Sequence, residues 1–129
     1  MERGDAVGSG GAERFPKQRR LRKRREFVGV QQRGRKIHLD DVLVLYTFTA
    51  RGRPSRLGVT VSRKVGNAVH RNRVKRLVRE VWRRSQRFLP EGYDMVIIAK
   101  RSATSTTYAR LVRQLLQLPR RLGHGPARR

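Results

Sequence analysis

The densest apolar signal in the chain is Tyr93 to Ala99, where nearly every position is hydrophobic. A short run without alternation is buried on both faces, so it is expected in the middle of a sheet. Val42 to Phe48 alternates instead, with Leu43, Leu45 and Thr47 on one face and Val42, Val44, Tyr46 and Phe48 on the other. That pattern, with its β-branched and aromatic content, predicts a strand. Arg56 to Ser62 reads as another, with Leu57, Val59 and Val61 on one face and the small Gly58, Thr60 and Ser62 on the other. The turn residues Arg51-Gly52-Arg53-Pro54-Ser55 between these two strands predict a hairpin. The small residues leave a sheet surface open for something to lie on, and Tyr46 is expected to border it.

A different period governs the middle of the chain. Val74, Leu77, Val78, Val81 and Trp82 recur at i, i+3, i+4, i+7 and i+8, the buried stripe of a helix. Gly66-Asn67 precedes it, and Asn67 is a favoured N-cap, so the helix is expected to begin there and run to about Phe88. A shorter helix is predicted from near Lys23, with Phe27 and Val30 on one side, ending before Gly34 after about two turns. The last helix carries Tyr108, Leu111, Val112, Leu115 and Leu116, capped by Thr104 or Ser105 and stopped by Pro119. A helix between two strands predicts a crossover, which is right-handed in almost all proteins.

Composition narrows this to one small domain. Of 129 residues only 36% are apolar, and the ends contribute little. Residues 1–14 are Gly-rich without periodicity and read as a disordered leader segment. The folded domain is expected over 15–119, and 120–129 reads as a disordered basic tail. There is no cysteine, which excludes disulfides and thiolate metal sites. No apolar run approaches the roughly 20 residues that span a bilayer, and Met1 to Gly11 lacks the apolar stretch of a signal peptide, so the cytoplasm is the expected location.

Charge changes the picture most. A formal net charge of +24 on this length requires a polyanionic partner. On the central helix Asn72, Arg76, Arg79 and Arg83 fall opposite the apolar stripe, flanked by Arg73 and Arg87. Arg63 to Arg87 holds ten Lys or Arg and a single acid, Glu80, so neighbouring carboxylates do not neutralise this face. Nucleic acid phosphate does. A merely solvated basic face is the ordinary explanation of such a stripe. The excess of Arg over Lys argues against it, because a planar fork suits phosphates and bases while solubility needs no such choice. Arg14 to Arg25, with eight cations and no acid, extends the same demand.

The run Lys64-Val65-Gly66-Asn67-Ala68-Val69, followed by Arg71-Asn72-Arg73-Val74-Lys75-Arg76 and Arg79-Glu80, resembles the Arg-Asn-Arg motif of the bacterial ribonuclease P protein family. The resemblance extends more loosely from about Leu21 to Leu118. It implies an α+β fold, an α/β sandwich with a single small sheet of about four strands, like the second domain of a small-subunit ribosomal protein, and a left-handed βαβ crossover. It implies two RNA surfaces and two partners, the ribonuclease P catalytic RNA and precursor tRNA, with no protein partner. Arg63, Lys64, Asn67, Arg71, Asn72, Arg73, Lys75, Arg76, Arg79 and Arg83 would grip the catalytic RNA. Phe27, Gln31, Tyr46, Thr60 and Ser62 would hold the single-stranded 5′ leader. Phe27 and Tyr46 each have a second reading, a core anchor and a half-buried strand tyrosine. Gln31 stands where the family often has a second aromatic. Mg²⁺ would be held mainly by the RNA.

Nothing in the acids and histidines points to catalysis by the polypeptide itself. The nine acids show no two-metal spacing, and the one adjacent pair, Asp40-Asp41, would point to opposite faces of a strand. His38, His70 and His124 are isolated, and no nucleophile-base pair or phosphate-cradling glycine loop is present. Two rivals share the charge. A ribosomal or other structural RNA-binding protein leaves the motif spacing unexplained, and a DNA-binding regulator lacks the preceding helix of a helix-turn-helix.

Overall fold

Tyr93–Ala99 (β4) is the centre of the sheet, and the order of strands explains its composition. The computed structural model describes residues 20–122. Arg35–His38 (β1), Val42–Phe48 (β2), Arg56–Thr60 (β3) and β4 form one sheet in the order β1-β2-β4-β3. β4 is antiparallel to β2 and parallel to β3, with Val96 opposite both Leu45 and Gly58. Neighbours at both edges and helices over both faces leave it almost wholly buried, hence the nearly continuous apolar run, interrupted only by Asp94.

The expected hairpin between β2 and β3 does not form. Both strands pair with β4, which lies between them, and β2 instead turns back on the short strand β1. Residues 51–55 therefore connect strands that are not neighbours. β3 also stops at Thr60, and Ser62 lies beyond it.

Ala68–Ser85 (α2) links β3 to β4. Asn67 caps it as expected, its Oδ1 accepting from the His70 N–H at 3.1 Å. A 3-10 turn, Gln86–Phe88, continues its end. The stripe Val74, Val78, Val81 and Trp82 is buried against Ile37, Val44, Leu57, Val59, Met95 and Ile97. Tyr108–Leu115 (α3) packs on the same core through Leu111 and Leu115. Its cap is Thr107, whose Oγ1 accepts from the Arg110 N–H, because Arg101–Ser105 forms a 3-10 turn of its own. Pro119 does not end the fold. It sits in the first turn of Leu118–Arg121 (α4), where a missing N–H costs nothing, and Leu118 and Leu122 are buried in the core. The folded part thus passes residue 119; the expectations for 1–14 and for 123–129 fall outside the described residues.

Arg24–Arg33 (α1) covers part of the opposite sheet face, longer than the predicted two turns. Leu21, Val30, Leu45 and Val96 make a second, smaller core there. Glu26 reaches back to accept from the N–H groups of Arg22 and Lys23 at 3.0 and 3.1 Å, which closes the helix start. Two core layers around one four-stranded sheet, with helices on both faces, make this the expected α+β fold.

Candidate nucleic-acid interface

The strand registers sort the side chains on the α1 face into rows. Lys36, Leu45, Val96 and Gly58 form one row across the sheet, and α1 lies over it. Phe27 fills the space above Gly58: a Cβ on that glycine would stand 2.5 Å from Phe27 Cε2. The sheet surface expected to be open at Gly58 is therefore occupied by the chain's own Phe27, not bordered by Tyr46. The next row, His38, Leu43, Ile98 and Thr60, extends past the helix. Leu43, Ile98, Thr60 and Phe27 are half-exposed, and Gln31, one turn beyond Phe27, is exposed. Together they make a shallow apolar floor with an aromatic wall. Leu43 and Ile98 were missed in the sequence, where both read as ordinary strand interior.

Tyr46 is not part of that floor. It alternates with Leu45 and so faces the α2 side, opposite Arg35 and Met95, with its ring edge-on to Tyr93 at 5.8 Å. Ser62 is likewise removed from the strand face. Its side chain accepts from the Lys64 N–H and starts a 3-10 turn, Arg63–Val65.

An ion cluster fixes α1 on the sheet. Arg56 donates from Nε and NH2 to both oxygens of Asp94, at 2.9 and 2.8 Å, and from NH1 to Glu26 Oε2 at 3.0 Å. One guanidinium thus joins β3, β4 and the residue preceding Phe27. Hydrogen bonds from the Arg22 and Lys23 N–H groups, aided by the Arg56 charge and opposed by burial, bring the Glu26 carboxyl down to about 2. Asp41, at the turn into β2, plays the same part for α3. Its carboxylate accepts from Thr106 Oγ1 at 2.6 Å, Ser102 Oγ at 2.7 Å, Gln114 Nε2 at 2.7 Å and the Arg110 guanidinium at 3.3 Å. Burial works to raise its pKa, and those donors outweigh burial and lower it. Asp40 beside it is exposed.

On α2 the predicted basic face is present, with two changes. Asn72, Arg76 and Arg79 are exposed, and Arg63, Lys64 and Asn67 are exposed at its start, with Arg71 and Lys75 half-buried beside them. Partial desolvation, and then the like charge of Arg20, lower the pKa of Arg79, so cations crowd here without an intervening carboxylate. Arg73, however, donates to the carbonyls of Thr104 and Thr106 at 3.3 and 2.9 Å, which ties α2 to the loop before α3. Glu80 accepts from Arg83 NH2 and Arg84 Nε, each at 2.6 Å, so the one acid on the helix is shared by two cations near its end. Among the described residues no three His, Asp or Glu side chains gather as metal ligands, and no helix is long and apolar enough to cross a membrane.

The family model described as Ribonuclease P matches residues 15–123. This chain belongs to the ribonuclease P protein family. The ribonuclease P protein component of Desulfovibrio desulfuricans is 46% identical over 111 residues, covering 84% of this chain and 85% of that protein. That of Geotalea uraniireducens is 46% identical over 109 residues, covering 84% and 94%. Among solved structures, the RNase P protein of Thermotoga maritima superposes with a TM-score of 0.71 at 34% identity, over 79% of this chain and 96% of that one. The Staphylococcus aureus RNase P protein gives 0.72 at 26% identity, over 83% and 97%. The resemblance carried by Lys64 to Glu80 is thus a true family membership, and the α+β sheet is the ribonuclease P protein fold.

Proposed function

We propose that the chain is the protein component of a ribonucleoprotein that removes the 5′ leader from precursor tRNA in the cytoplasm. It grips the catalytic RNA with α2 and holds the leader on the sheet face beside α1. The observation that carries this reading is the row Asn72, Arg76 and Arg79, exposed on a helix whose single acid is already engaged elsewhere. Repelling cations on one side of a helix are stabilised by a polyanion lying along them. Arg63, Lys64, Arg71 and Lys75 extend that contact from the helix start. Arg83 contributes while shared with Glu80, and Arg73 acts by placing the loop before α3.

The half-exposed floor of Leu43, Ile98 and Thr60 with Phe27 suits single-stranded RNA. An aromatic face stacks on any base, so the site tolerates leaders of different sequence. Gln31 supplies a hydrogen-bonding group at the same edge. Tyr46 and Ser62 are left out of this floor by their positions. Holding the leader separates precursor from mature tRNA, and positions the scissile bond at the RNA's own centre. Mg²⁺ bound by the RNA supplies the charge stabilisation for the cleavage. The polypeptide adds cations that favour the folded RNA around it.

The test is reconstitution. Precursor tRNA at low Mg²⁺ is expected to be cleaved when this chain and a bacterial ribonuclease P RNA are both present, and not with the chain alone. Arg76→Ala is expected to weaken assembly with the RNA, while Phe27→Ala spares assembly and weakens precursor binding. Equal loss of both functions in both variants would count against two separate surfaces. With roughly five to eight phosphates neutralised, affinity is expected to fall by orders of magnitude from low to moderate salt.

A further inference from the structure

Beyond the last turn of α2 the basic row ends on an aromatic that the core does not use. Phe88 is 58% exposed, while its neighbours on either side are anchored. Ser85 and Leu89 are buried, the Leu89 N–H donates to the Gln86 carbonyl at 3.0 Å, and the Pro90 carbonyl accepts from Ser55 Oγ at 2.7 Å. The 3-10 turn Gln86–Phe88 therefore has little freedom, and burying Leu89 turns Phe88 outward. Arg87 lies against the ring, its guanidinium carbon 5.5 Å from the ring centroid. Arg87 also follows Arg83 by one turn, so it prolongs the line Arg76, Arg79, Arg83.

We infer that Phe88 is a stacking platform for an unpaired base of the RNA that runs along α2, with Arg87 set to meet the adjoining phosphate. This rests on the proposed grip of α2 on the catalytic RNA and adds a contact to its far end. A ring held outward on an anchored turn loses little entropy when a base stacks on it. The ring offers no hydrogen bond, so the recognition is for an exposed base face and not for sequence. The surrounding charge selects the occupant: an aromatic beside Arg84 and Arg87 on a +24 chain meets a polyanion before it meets an apolar protein surface.

The experiment measures binding of the full chain to the ribonuclease P RNA of Desulfovibrio desulfuricans across a range of salt concentrations. Stacking carries no net charge, whereas each Arg contact steepens the salt dependence. Phe88→Leu is expected to weaken binding by about 5- to 10-fold at every salt concentration with the slope unchanged, and Phe88→Tyr, which keeps the ring, to stay within about twofold of the parent. Exposure of the side chain keeps both variants folded, which thermal unfolding verifies. If Phe88→Leu binds like the parent while Arg76→Ala loses affinity, the platform does not exist. Equal weakening by Phe88→Leu and Phe88→Tyr overturns it as well. If Arg76→Ala also binds like the parent, the grip of α2 fails first and takes this inference with it.

Discussion

Substituting Gly58 by alanine isolates the contact that positions Phe27, the aromatic of the proposed leader floor. The backbone at Gly58 is not in the left-handed region, so alanine adopts it without strain and even gains strand propensity. What the new methyl meets is the Phe27 ring, with Cε2 at 2.5 Å and Cζ at 2.6 Å, against 3.4–4 Å for ordinary contact. The ring must retreat by about 1 Å, and it is held from behind by α1, whose start is pinned through Glu26 to Arg56. Overpacking of this kind costs about 1–3 kcal/mol. For a domain of roughly 100 residues that corresponds to a loss of about 5–20 °C in Tm. Gly58→Ala is therefore expected to melt lower and, on the proposed function, to bind precursor tRNA more weakly while keeping its affinity for the catalytic RNA, whose proposed contact is α2 on the other side of the sheet. Combining it with Phe27→Leu removes the two clashing ring atoms, so the double variant is expected to melt higher than additivity allows. Thermal unfolding of the four proteins in this cycle decides the matter. A Gly58→Ala protein with the parent's Tm, or strict additivity in the double variant, would refute the contact and with it the account of how Phe27 is placed.

Three further outcomes follow from the ion contacts. Glu26 has a carboxyl depressed from 4.5 to about 2, so its contribution is complete above pH 4.5 and lost as pH falls toward 2; Glu26→Gln is expected to flatten the acid limb of stability over that window, measured by chemical denaturation against pH. Asp41→Asn removes the charge on which Thr106, Ser102, Gln114 and Arg110 converge, and a loss of about 2–4 kcal/mol in unfolding free energy is expected. Arg73→Ala is expected to lower Tm through loss of its two carbonyl contacts, whereas Arg76→Ala leaves Tm unchanged and lowers RNA affinity; the same Tm for both would contradict the different roles of these neighbours.

Where burial on a long element decides the residues, the sequence was readable. Asn67 caps α2 as its side chain and position foretell, and the nearly continuous apolar run of β4 marks the middle of the sheet. β1 was illegible because Arg35-Lys36-Ile37-His38 is an edge strand paired on one side only, with one buried position, and such a strand needs no apolar pattern. The false hairpin had a physical origin too. The turn residues between β2 and β3 are real, yet a strand buried on both faces needs a partner at each edge, and β4 takes β2 and β3 for that purpose. The small residues Gly58, Thr60 and Ser62 read as a surface left open for something to lie on, but Gly58 is covered by the chain's own Phe27 and Ser62 lies beyond the strand. The two oxygens that hold Arg73 belong to backbone thirty residues away, and no side-chain pattern announces a carbonyl.

Nine carboxylates against thirty-three Lys and Arg are too few to shield the surface, and four of the six among the described residues are engaged in fixing the fold. Glu26 and Asp94 hold Arg56, which seats α1; Asp41 seats α3; Glu80 takes two cations at the end of α2. These four carboxylates all serve to fix helices on the sheet or to steady the helix that bears them. The start and middle of α2, where Asn72, Arg76 and Arg79 are exposed, receive none of them. Self-repulsion there opposes folding of the isolated chain and is relieved by a bound polyanion, so the surface proposed to bind RNA and the cost of maintaining it without RNA are the same feature.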